Sequence, residues 1–372
     1  MNMKAIRIFL TIILVAAFLF FATLFYKTLC LILLWAVWRK PIAKRIRERY
    51  RKWAVRGAWA CLLLTLWVAT PRWRIHSADR VQLVYIDKEG NAVHPPMSHY
   101  VLSTLLPEAE IVNLGITGVH FMAPLIREMG IGQSIISQAQ DDIAAGKIGN
   151  FFAPYRRLGL CNPVSGVYTQ LMNDRLGTDQ EAVYVCNPRH FDNEATYPLV
   201  VFCHGYLGNW QLYQGLWKDL EDAVVLSIGT RGLDGIFNAG HINRIFTFYI
   251  PMLERMGYRI DPKQVHLLGL SNGGSAIAAA MHSRHARDFK SITTISCNLG
   301  GLRRVACQVN LIGGGRDNSA KLMPTQYREL KRMGVDAALY FDEEENHFIL
   351  VNQHEAILEF LKERFKFQSE KL

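Results

Sequence analysis

An α/β architecture, a mostly parallel sheet flanked by helices and preceded by N-terminal transmembrane helices, follows from three features of this 372-residue sequence. From about residue 163 onward, short apolar runs of strand length alternate with longer stretches of helical spacing, the pattern of strands buried on both faces. One such run, 265–270, passes directly into Ser271-Asn272-Gly273-Gly274 and then into an Ala-rich stretch ending at Met281, giving strand, glycine-lined turn and helix in succession. Ahead of these, 8–38 is almost unbroken Phe, Leu, Ile, Val and Ala, more than the ~20 residues that cross a bilayer.

Residues 1–74 are the membrane segment, with apolar spans at about 8–38 and 53–70 and a basic loop, 39–52, between them. The formal net charge of +10 belongs to this segment. It holds fourteen Lys and Arg, eight of them between Arg39 and Lys52, against Glu48 alone, which leaves 28 basic and 31 acidic residues in 75–372. No basic patch remains for the rest of the chain, so nucleic acid is not expected as a partner. The apolar run is too long for a cleaved signal peptide and lacks its small-residue cleavage site. A loop as basic as 39–52 stays in the cytoplasm, and Trp35, Trp38, Trp53, Trp59, Trp67 and Trp73 suit the interfacial belts. Residues 75–372 are then expected beyond the membrane, in the periplasm if this is a multi-pass protein of a bacterial inner membrane. Arg56 leaves an alternative open, in which 53–70 lies along the lipid surface.

Residues 75–162 form an accessory or linker region: a spacer, an added domain or a wall of a binding cleft. Within it, Val81–Ile86 has strand character, 87–91 is a turn, and 118–129 and 134–145 have helical spacing. His94, His99 and His120 are scattered, and no metal-ligand cluster stands out. In 163–372, strands are expected at 167–172 and 182–186 around a polar turn, and then at 198–204, 224–228, 265–270, 292–296, 309–313 and 337–341. Helices are expected at 242–256, ending at Gly257, and at 324–333 and 354–365. Cys186 and Cys203 fit buried free thiols, whereas Cys297 and Cys307 flank a short connection and could pair in an oxidising compartment.

Ligands of such a sheet belong at the carboxyl ends of its strands. There, Gly269-Leu270-Ser271-Asn272-Gly273 has the G-x-S-x-G form of a nucleophile elbow, in which small neighbours let strand and helix approach while the serine is held out. The turn after 199–203, His204-Gly205-Tyr206-Leu207-Gly208-Asn209, can aim the Tyr206 amide at the same point as the Asn272 amide, making an oxyanion hole. Asp317 follows the strand at 309–313, and His347 follows 337–341. A serine needs a base and a carboxylate to orient that base, and the order Ser271, Asp317, His347 supplies both. Asp317 could instead cap the helix that follows. Glu343, Glu344 and Glu345 fit a solvated acidic turn. His204 is the rival base, while His241, His266, His282 and His285 are poorly placed.

On these residues, 163–372 resembles the α/β-hydrolase superfamily, in the esterase-like branch that includes feruloyl esterases, polyhydroxyalkanoate depolymerases and dienelactone hydrolases. The resemblance covers 197–206, the lead-in Ile260-Asp261-Pro262, the elbow at 265–274, Asp317 and His347. It implies a carboxylic-ester hydrolase working through an acyl-enzyme, without metal or organic cofactor, with Ser271 as nucleophile, His347 as base and Asp317 as its orienter. The implied substrate is a small-molecule or lipid-like ester. Acyl transfer or peptide hydrolysis on the same triad, and a non-catalytic binding ectodomain, are the alternatives. The resemblance does not extend to 1–162.

Overall fold

The computed structural model describes residues 3–70, 80–128, 133–158, 164–176, 180–301 and 305–367. Three helices come first: α1 (Met3–Phe20), α2 (Leu24–Arg45) and α3 (Glu48–Ala69). The apolar stretch expected as one run over 8–38 is therefore two helices that double back at 21–23. A single helix over 8–38 would be about 46 Å long, against a hydrocarbon core of roughly 30 Å. The break falls where Thr23 takes an extended conformation and its hydroxyl accepts the Tyr26 amide at 3.5 Å. Trp38 Nε1 donates to Thr11 Oγ1 at 2.7 Å and ties the two helices together. Among the described residues, α1 is the helix long and apolar enough to cross a membrane by length and composition. By that measure α2 and α3, which carry Lys27 and Arg56 as well as the basic run, fall short, and the loop expected at 39–52 is instead the end of α2 and the start of α3, with only 46–47 between them.

After β1 (Val81–Ile86) and β2 (Ala92–Val93) come α4 (Met97–Leu105), α5 (Glu108–Glu128), α6 (Gln133–Ala144), α7 (Ile148–Arg157) and α8 (Val167–Leu176). The turn at 87–91 forms because Asp87 Oδ1 accepts the amides of Glu89 and Asn91, at 3.0 and 2.8 Å. The helices expected at 118–129 and 134–145 lie in α5 and α6, with Met129 outside the described residues. The strand expected at 167–172 is instead the start of α8. All of 164–170 is buried, so the apolar and polar alternation there marks no exposed face, and its polar members bond inward instead. Of the turn expected to follow, 177–179 lie outside the described residues.

The remaining elements alternate: β3 (Glu181–Cys186), β4 (Thr196–Cys203), α9 (Leu212–Trp217), β5 (Val224–Ile228), α10 (Ala239–Arg244), α11 (Ile250–Arg255), β6 (Arg259–Leu270), α12 (Gly274–Met281), β7 (Ser291–Ile295), β8 (Gln308–Gly314), α13 (Met323–Arg332), β9 (Ala337–Asp342), α14 (Ile349–Asn352) and α15 (His354–Phe365). The helix expected at 242–256 is interrupted by a π turn, Ile245–Tyr249, in which the Ile250 amide bonds to Ile245. Pro251, which has no amide to offer the ladder, stands just beyond it.

The nine strands form one sheet in the order β2-β1-β3-β5-β4-β6-β7-β8-β9. From β5 to β9 every pair is parallel, while β3 runs antiparallel to both β1 and β5. Because β1 pairs with β3 over six positions, the sheet begins well ahead of residue 163. The strands have two apolar faces. Leu199 and Val201 of β4 join Leu226, Leu267 and Val309 on one face, and Val200 and Phe202 join Trp217, Leu361 and Phe365 on the other.

The described cysteines are free, Cys297 and Cys307 included, and Cys161 lies outside the described residues. Cys297 follows the end of β7 and Cys307 precedes the start of β8. In parallel neighbours those positions lie at opposite ends of the sheet, roughly 16 Å apart and beyond disulfide reach.

His266, in the middle of β6, is fully buried between Phe365 and Phe367, with Nδ1 on Ser291 Oγ at 2.7 Å and no partner for Nε2 among the described residues. Burial first, and the Lys290 charge second, push its imidazole down to about 3 from an ordinary 6.5. The folded chain thus holds fewer protons than the unfolded chain between these values, and stability is lost as pH falls through that window. His266→Asn is expected to remove about 2 kcal/mol of the stability difference between pH 7 and pH 5, read by chemical unfolding. An unchanged pH dependence would contradict the assignment.

Candidate active site

The elbow forms where the middle of the sheet meets a helix. Ser271 takes φ +52, outside the range a serine ordinarily adopts, and begins a 3₁₀ turn that runs straight into α12. The conformation persists because its neighbours leave no alternative. A Cβ on Gly273 would lie 2.2 Å from the Cys203 carbonyl oxygen, and one on Gly269 would lie 2.4 Å from that of Gly273. Any side chain at either glycine would push α12 off the sheet.

The structure brings Ser271, His347 and Asp317 together. His347 Nε2 lies 3.0 Å from Ser271 Oγ, and His347 Nδ1 lies 2.8 Å from Asp317 Oδ2. A carboxylate only accepts, so Nδ1 carries the proton and Nε2 is left as an acceptor for the serine hydroxyl. Asp317 is buried, and its other oxygen, Oδ1, accepts the Ser319 amide at 2.8 Å. The next helix, α13, begins only at Met323 with Leu322 at its N-cap, so Asp317 closes a local turn through Ser319 and does not cap that helix.

The oxyanion turn presses on the elbow from the neighbouring strand. A Cβ on Gly205 would stand 3.1 Å from the Ser271 Cβ, which brings the Tyr206 backbone beside the serine. Asn272 is the second residue of the 3₁₀ turn, a position whose amide has no partner within the helix. Its side chain is turned away and donates to the Asp234 carbonyl at 2.9 Å. The Tyr206 side chain is exposed.

His204, the rival base, is fully buried and committed elsewhere. Nδ1 donates to the Gly205 carbonyl at 2.6 Å, and Nε2 accepts from Gln170 Nε2 at 2.9 Å. Burial pushes it down to about 4, so it stays neutral. His241 and His285 are held by Asn238 and Asp288. The acidic turn is only partly solvated: Glu343 and Glu344 are exposed, but Glu345 is buried against Lys147 at 2.9 Å.

Several supporting residues had no signal in the sequence. Gln138, in α6, accepts the His347 backbone amide at 2.9 Å and donates to the Arg316 carbonyl at 3.0 Å, bridging the loops that carry base and carboxylate. Asp142 of the same helix accepts from Asn346 and Asn352 at 2.9 and 3.1 Å. Ser296 Oγ donates to the His347 carbonyl at 3.0 Å. Gln170 of α8 also accepts the Asn209 amide at 2.6 Å, fixing the far end of the oxyanion turn. Glu108 of α5 accepts the amides of Gln211 and Leu212 at 2.9 and 3.0 Å, just beyond it. Glu108, Gln138, Asp142 and Gln170 thus brace the loops of the site, and as lone polar residues in helical stretches they carried no mark of it.

The strand order, the antiparallel β3, the strained serine after β6 and the order Ser271, Asp317, His347 decide the architecture. This is an α/β-hydrolase fold. No family model matches the chain, and no curated protein matches it. Among solved structures it is similar to the acylaminoacyl peptidase of Pyrococcus horikoshii, with 14% identity over 52% of this chain and 41% of that one and a TM-score of 0.40. It is also similar to a thermostable esterase, with 16% identity over 50% and 60% and a TM-score of 0.39. A ferulic acid esterase gives 14% identity over 52% and 94%, with a TM-score of 0.42. The chain spans about two fifths of the length of the acylaminoacyl peptidases it matches.

Gln138→Leu is expected to lower kcat for an ester substrate about 10- to 100-fold, with little change in KM, because the two loops it spans lose their mutual register. Steady-state kinetics on the full chain checks this, and a change confined to KM would contradict it.

Proposed function

We propose that this chain is a membrane-anchored serine hydrolase, a carboxylic-ester hydrolase that works through an acyl-enzyme. The observation that carries the reading is the continuous bond path from Ser271 Oγ through His347 to Asp317. In this reading His347 Nε2 takes the hydroxyl proton as Ser271 attacks the ester carbonyl, and Asp317 stabilises the imidazolium. The amides of Tyr206 and Asn272 receive the developing oxyanion. His347 then returns the proton to the leaving alcohol, and water repeats the sequence to release the acid.

The same reading places the hydrolase beyond the membrane, in the periplasm of a bacterium, as part of a multi-pass protein. The turn at 21–23 sits against α5, where Glu110 accepts the amides of Ala22 and Thr23 at 3.3 and 3.0 Å. From there the apolar part of α2, residues 24–38, carries the chain about 22 Å to the basic run that ends α2 and opens α3. Lys4, Arg7 and the basic run 39–52 then share one face, which suits the cytoplasm, and α3 returns to the hydrolase.

Ser271→Ala should abolish ester hydrolysis, and Asp317→Asn and His347→Ala should each lower kcat by about 10³-fold or more. The double variant should be scarcely worse than either single one. Independent, multiplicative losses would place one residue outside the unit. For the topology, an alkaline phosphatase fused at Leu372 should be active in a bacterial host and a green fluorescent protein fusion dark, and the reverse pattern would put the hydrolase in the cytoplasm.

A further inference from the structure

A short chain of contacts, most of them hydrogen bonds, links the end of the α1–α2 hairpin to the oxyanion turn. The hairpin turn is bonded to the α4–α5 junction at three points: Glu110 holds the amides of Ala22 and Thr23, Asn113 Nδ2 donates to the Phe20 carbonyl at 3.1 Å, and the Tyr26 hydroxyl donates to the Leu105 carbonyl. The next residue, Leu106, receives the Tyr168 hydroxyl of α8 on its carbonyl. Val167, beside Tyr168, meets the oxyanion turn, where a Cβ on Gly208 would lie 2.8 Å from its Cγ2. Two residues from Glu110, on the same helical turn, Glu108 grips the amides of Gln211 and Leu212. The oxyanion turn is therefore joined to the membrane end of α1 and α2 through one turn of α5 and one of α8.

What faces outward along this path is apolar. Leu105, Tyr206 and Leu207 are 58%, 64% and 52% exposed, and Leu106 is 36% exposed. Leu207 is held at φ +77, a conformation that costs a branched side chain about 1–3 kcal/mol and that survives where the surroundings impose it. A leucine kept outward under strain, one residue from the Tyr206 amide, makes sense against a hydrocarbon and not against water.

We propose that the acyl chain of the substrate comes from the bilayer: the site takes a long-chain ester of a membrane lipid, whose chain lies along Leu105, Leu106 and Leu207 while its carbonyl reaches Ser271. This inference rests on the serine hydrolase reading and names its substrate class. The ester bond breaks as the acyl group passes to Ser271 Oγ and the alcohol leaves with the proton from His347. Water then yields the free fatty acid. The head group is not specified by the ledge, so the test is made independent of it.

Full-length protein reconstituted in phosphatidylcholine vesicles is given 4-nitrophenyl palmitate within the bilayer or 4-nitrophenyl acetate in bulk solution. The palmitate is expected to give kcat/KM at least tenfold above the acetate. Leu105→Gln with Leu207→Asn, asparagine being at ease at positive φ, is expected to narrow that ratio at least tenfold. Leu105→Gln alone, on an exposed helix end, repeats the test should the pair fail to fold, and fluorophosphonate labelling reports that the site is intact. Preference for acetate, or a ratio that neither variant moves, overturns the lipid inference and leaves the hydrolase reading standing. Loss of both hydrolysis and labelling in the wild-type chain overturns both.

Discussion

Ser271 can project from the centre of the sheet only because strand and helix come closer there than side chains allow. With Gly273 against the Cys203 carbonyl and Gly269 against Gly273, α12 sits directly on β4 and β6, and the serine is forced to φ +52. Strain of this kind costs about 1–3 kcal/mol, and the apolar packing of β4, β5 and β6 on both faces holds it in place. The rest of the site is arranged around that fixed hydroxyl: Gly205 approaches it from β4, Asp317 leaves β8, and His347 leaves β9 to close the path. The conformation that is costly for the chain also sets the direction in which the hydroxyl points.

The walls of the site are polar side chains from helices that the sheet does not need. Gln138 clasps the loops of His347 and Asp317, Gln170 holds the far end of the oxyanion turn, and Glu108, from full burial, holds the segment just beyond it. Four donors, Ser165, Tyr155 and the amides of Gln211 and Leu212, surround its carboxyl group, yet burial outweighs them and pushes it up to about 7. Because Glu110, two residues along, holds the turn between α1 and α2, the helix that braces the segment beyond the oxyanion turn is also the one seated against the N-terminal hairpin.

Where local pattern and tertiary environment agreed, the sequence was a sufficient guide. The strands at Val81–Ile86 and Val224–Ile228 and the helix at His354–Phe365 have the bounds expected of them, since each is an apolar run or an amphipathic stretch with clear turns on either side. Ser271, Asp317 and His347 were visible because each follows a strand at its carboxyl end, where chain order alone carries the geometry. The start of α8 was misread because 164–170 is buried all round and periodicity had no exposed face to report. The break at 21–23 was legible only from length, since 8–38 is too long for one crossing. Gln138 and Glu108 left no trace because their partners are 209 and 103 positions away, and nothing in a lone glutamine or glutamate records a contact so remote.

The account turns on the reactivity of one hydroxyl. Treating the full-length chain with diisopropyl fluorophosphate and mapping its peptides by mass spectrometry measures this directly. A single phosphoryl adduct on Ser271, formed far more slowly when His347 is replaced by alanine, is the predicted result. An adduct on another serine, or none on Ser271 in the folded wild-type chain, would contradict it.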